Sequence, residues 1–88
     1  MKPDTIVCID RKWPGYPVLE DAVDYVQLGA FAGEMVKADA SSPYLQLRMS
    51  LTKTQEVVTV MIPHSSVECV VTGLADWEGV FDKFMRTP

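Results

Sequence analysis

The sequence predicts a single small, mostly-β domain with a short helix ahead of most of its strands and an amphipathic helix at its C-terminal end. Three observations carry this expectation. From Tyr44 to Leu51 the odd positions (Leu45, Leu47, Met49, Leu51) are all apolar and the even positions after Tyr44 are polar, which is the period of a strand with one face on a core. The runs Glu56–Ile62 and Val67–Thr72 are short, rich in β-branched residues and bounded by turn-forming residues. Leu74, Trp77, Phe81, Phe84 and Met85 recur at helical spacing.

Read in order, Thr5–Ile9 is a short β-like run. Arg11–Pro17 holds two prolines, a glycine and two aromatics, and reads as a structured loop in which Trp13 and Tyr16 find cover. Val18, Leu19, Ala22, Val23 and Val26 fit one face of a helix over 18–26, with Glu20 and Asp21 suiting the positive end of its dipole. Residues 25–38 read as two strands, 25–28 and 31–38, about a turn at Gly29. The alternative, one longer helix, is disfavoured by about 1 kcal/mol at each of Gly29 and Gly33. Residues 39–43 and 52–55 supply turns on either side of the alternating strand. Glu56–Ile62 is apolar on both faces, so it is expected either in the middle of a sheet or under another subunit. Pro63 ends it, 64–66 form a tight connection, and Gly73 separates the last strand from a helix over about 74–85.

Composition narrows the function. An apolar content of 48% over 88 residues fits one globular domain, and a chain this short looks to a partner subunit for added stability. No apolar run approaches the roughly 18 residues that span a bilayer, and the N-terminal run is not a signal peptide. The expectation is a cytoplasmic protein without membrane contact. A net charge of −4 with scattered basic residues argues against broad electrostatic attraction to nucleic acid. Cys8 and Cys69 lie in apolar runs without metal-ligand spacing and read as buried free thiols. No cofactor motif is visible. His64 is the sole histidine, its neighbours Ser65 and Ser66 point away from it along the chain, and no carboxylate is placed to orient it, so the sequence predicts a binding protein and not an enzyme.

The stretch from Phe31 to Val71 resembles the Sm-like (LSm) family. Gly33 is followed six residues later by Asp39, and then by Leu45-Gln46-Leu47, in the manner of that family's first motif. Ile62-Pro63-His64-Ser65-Ser66-Val67 has the outer frame of its second motif. Two departures fall on the residues that hold and stack an RNA base in the family's RNA binders. Ser41, Ser42 and Pro43 stand where the loop asparagine belongs, and Pro63-His64 replaces Arg-Gly. The run before residue 10 and the C-terminal helix lie outside the minimal pattern.

The resemblance implies a small, strongly bent, five-stranded barrel, curled at a glycine because a residue without Cβ tolerates the bend. It also implies a homo-oligomeric ring of about five to eight subunits, with the fourth strand (56–62) of one copy against the fifth (67–72) of the next, since such edges are unprotected templates for pairing. Each subunit would then bring Asp39, Ser41, Ser42, Tyr44, His64, Ser65 and Ser66 to the pore, where single-stranded RNA could stack on Tyr44 or His64. Two plainer expectations stand beside this one. His64 and the serines close a turn, and the aromatics of the C-terminal helix cover the sheet or dock a protein partner.

Overall fold

The computed structural model describes residues 1–36 and 41–86, with 84–86 described by backbone alone. The elements are β1 (Thr5–Ile9), α1 (Tyr16–Ala22), β2 (Val26–Gln27), β3 (Ala30–Met35), β4 (Tyr44–Ser50), β5 (Val57–Pro63), a 3-10 turn (His64–Ser66), β6 (Val67–Val71) and α2 (Trp77–Arg86). All strand pairs are antiparallel, in the order β5-β4-β3-β1-β6, with β2 beside β3. The mostly-β class and the two helices are as the sequence predicts. The sheet has six strands where five were expected, and it runs open from β5 to β6.

The additional strand is β1, and it sits in the interior of the sheet between β3 and β6. Its two faces are both covered. Val7 and Ile9 join Tyr16, Leu19, Phe31, Leu47, Met49 and Ile62 in the main core. Ile6 faces the other way with Ala30 and Ala32, under Leu74, Trp77, Val80 and Phe81. Full burial of such side chains contributes about 1.5–3 kcal/mol each. As a result α1 falls between the first two strands rather than ahead of the sheet.

The strand β3 is shared along its length. Thr5 pairs with Gly33 on one side, and from the next residue Glu34 pairs with Arg48 on the other. Gly33 is therefore the position where β3 leaves β1 and joins β4. A Cβ built there would lie 2.6 Å from the Arg48 carbonyl oxygen, which gives the glycine a steric role where the strand changes partner. The β2–β3 turn places Leu28 at φ 49° and Gly29 at φ 87°, the backbone of a two-residue hairpin turn.

Three expectations need correction. The first helix is Tyr16–Ala22, with Pro17 in its first turn, and no acidic residue lies in that turn. Glu20 and Asp21 thus sit in its C-terminal half, where the dipole does not favour them, and Val18 points outward, 73% exposed. The face that docks is Tyr16, Leu19 and Val23, with Tyr16 edge-on to Phe31 at 5.5 Å. Of the two positions open to the doubly apolar run at 56–62, the strand order gives it the end of the sheet. Cys8 is only half-buried and Cys69 is exposed. Finally, α2 begins at Trp77 rather than near Leu74, because Asp76 caps it by accepting from the Gly79 N–H at 3.1 Å.

Trp77 and Phe81 of α2 do cover the sheet: Trp77 stacks edge-on against Tyr25 at 4.8 Å and leans on Phe81. No helix among the described residues is long and apolar enough to cross a membrane.

Candidate functional site

Two surfaces of the molecule bear on function, and the β4–β5 hairpin builds both. Its register runs from Ser50 opposite Val57 to Tyr44 opposite Pro63. Just beyond its ends, the Leu51 N–H donates to the Glu56 carbonyl (2.8 Å) and the His64 N–H to the Pro43 carbonyl (3.1 Å). These two bonds fix the phase of the ladder, because bonded pairs recur every second residue. Val58, Val60 and Ile62 bond β4 and face inward. Val57, Thr59 and Met61 turn their backbone N–H and C=O groups away from β4.

The first surface is the pair of sheet ends. β5 and β6 have no further strand beyond them among the described residues. On β5, Val57 is 47% and Met61 50% exposed, and on β6 Val70 is 44% exposed. Unpaired backbone groups and exposed apolar side chains on the same strand define a pairing edge.

The second surface is the rim where Tyr44 meets Pro63. The His64–Pro43 bond holds the entry to β4 against the 3-10 turn, and Ser42 Oγ accepts from the Tyr44 N–H at 3.2 Å. Residues 42–44 are thereby brought beside Pro63 and His64, while Asp39 lies outside the described residues. Tyr44, His64 and Ser65 are exposed; Ser42 and Ser66 are half-buried. The Ser66 carbonyl accepts from the Asp10 N–H at 2.9 Å, and the Val67 N–H donates to His64 O. Backbone groups thus close the turn. No lysine or arginine occurs at 41–44 or 63–67.

Sequence reasoning missed a third feature. Cys8 and Cys69 are directly opposite one another on β1 and β6. The signal available was only that each stands mid-strand, which does not say which strands pair. Among the described residues no group of three or more metal-binding side chains comes together. No family model, curated protein or solved structure matches the chain.

Proposed function

We propose that the chain is an Sm-like, ring-forming protein whose copies associate head to tail, β5 of one subunit against β6 of the next, in rings of about five to eight. The observation that carries this reading is the identity of the two sheet ends. They are β5 and β6, the two strands whose mutual pairing between copies would cover both exposed edges at once. The contact is heterologous, so closure into a ring satisfies every edge. It also accounts for the apolar outer face of β5, with Val57 and Met61 exposed in a single chain.

The test is Thr59→Pro. The Thr59 N–H faces away from β4, so proline there removes a donor from the free edge without breaking the hairpin. The expected result is a folded subunit that no longer assembles. An assembly indifferent to Thr59→Pro and to Met61→Lys would overturn the β5 edge as its seam.

In such a ring the rim of every subunit would face the same opening, multiplying a weak site. Single-stranded RNA stacked on Tyr44 and His64 is the ligand this reading assigns to the rim, favoured by the two exposed rings on adjoining segments. The competing reading is a structural or protein-binding ring without RNA, favoured by the net charge of −4 and the lack of lysine and arginine at 41–44 and 63–67. Filter binding with short U-rich and A-rich RNA at low and moderate salt separates the two. Binding lost in Tyr44→Ala and His64→Ala supports the first; no binding even at low salt supports the second.

A further inference from the structure

We propose that Cys8 and Cys69 form an intramolecular dithiol–disulfide couple that exchanges with low-molecular-weight disulfides. The inference stands apart from ring assembly, since it rests on the β1–β6 pairing within one chain.

Three observations converge. The two residues are direct cross-strand partners, so their side chains leave the same face of the sheet. Opposite residues in an antiparallel pair have Cα atoms about 4.5–5.5 Å apart, within the roughly 4.4–6.8 Å that a disulfide spans. The ladder shifts register between Cys8 and Ile9, and such an irregularity supplies the local freedom that a bond between facing strands needs. Lastly, Cys8 opens onto a surface groove whose charged lining is balanced, Arg11 and Lys12 against Asp10 and Glu68, so a small disulfide can reach the pair without selection by charge.

The chemistry follows from exposure. Cys69 is the accessible thiol and Cys8 the half-buried one. The Cys69 thiolate attacks one sulfur of the disulfide, forming a mixed disulfide and releasing one thiolate. The Cys8 thiolate then attacks the Cys69 sulfur and releases the second. Two protein S–H bonds and one external S–S bond are consumed; one protein S–S bond and two external thiols are formed, which take up the two protons. Burial and the neighbouring Cys69 and Glu68 raise the Cys8 pKa, in keeping with its role as the second, resolving thiol.

The test is equilibration of the full chain with mixtures of oxidised and reduced glutathione, read by intact mass after acid quenching. The expected product has lost two hydrogens, carries no adduct and stays a single chain on non-reducing electrophoresis. Cys8→Ser should stop at one glutathione adduct on Cys69, and Cys69→Ser, altered at an exposed position, should give no internal disulfide. Disulfide-linked dimers, separate adducts on both cysteines, or thiols that stay reduced under excess oxidised glutathione would overturn the couple.

Discussion

Gly33 approaches β4 so closely that a methyl group on it would lie 2.6 Å from the carbonyl oxygen of Arg48 and 3.2 Å from Cγ of Met49. The oxygen belongs to a backbone that β5 holds on its other side, so it cannot swing away as a side-chain tip could. Gly33→Ala is expected to destabilise the fold by about 1–3 kcal/mol, the usual range for overpacking. Urea unfolding monitored by tryptophan fluorescence measures it. A variant as stable as the parent would remove the steric reason for glycine where the strand changes partner.

Leu28 has the opposite character. It is 67% exposed and holds a left-handed backbone at φ 49°, a conformation that costs a leucine about 1–2 kcal/mol. Leu28→Asn creates the Asn-Gly pair that such a turn prefers. The expected gain is about 1 kcal/mol, read as a rise in Tm. A fall in Tm would mean that the exposed leucine makes contacts worth more than the turn strain.

Asp4 ties three segments together. Its carboxylate accepts from Thr5 Oγ1 at 2.8 Å and from the Met35 N–H at 3.0 Å, and its backbone carbonyl accepts from the Leu74 N–H at 2.9 Å. Thr5 itself is fully buried and also bonds Thr72 Oγ1 at 2.8 Å. Asp4→Ala leaves the Met35 N–H without its acceptor and should cost about 1–3 kcal/mol, with Asp4→Asn retaining part of the loss. Thermal melts of the two variants check this ordering.

The raised pKa of Cys8 fixes the sign of a pH effect. The folded thiol holds its proton above the ordinary value of 9.0, chiefly because burial disfavours the thiolate. Above pH 9 the unfolded chain therefore binds fewer protons than the folded one, and stability falls as pH rises through the folded pKa. Below that window Cys8 contributes no pH dependence. Under reducing conditions Cys8→Ala should flatten the alkaline limb of a stability–pH curve; an unchanged limb would contradict the assignment.

Much of the β content was legible in the residues, and the reasons differ by element. β4 announces itself because only one of its faces is buried: Leu45, Leu47 and Met49 are inside while Tyr44 and Arg48 are exposed, so periodicity and burial coincide. β1 is as short and as apolar as a loop-edge fragment would be, and its covering on both faces becomes apparent only when α2 and the main core are in place. α1 was displaced by two residues because Val18, apolar in sequence, points to solvent, while the docking face begins at Tyr16 inside the proline-rich stretch. For β5, a doubly apolar strand fits an interior position and an edge awaiting a partner equally well, and only the strand order decides between them. The rim was legible as two loops, because Tyr44 and Pro63 end consecutive strands joined by a hairpin. The cysteine pairing was not, since 61 positions separate residues that only the β1–β6 register brings together.

The central claim, that bare β5 and β6 edges cover one another between copies, is tested most directly by the mass of the unmodified chain in solution. Light scattering coupled to gel filtration, run under reducing conditions across a wide concentration range, should return a single species of about five to eight times the 9.8 kDa subunit. A species of 9.8 kDa that persists at the highest concentration would contradict it.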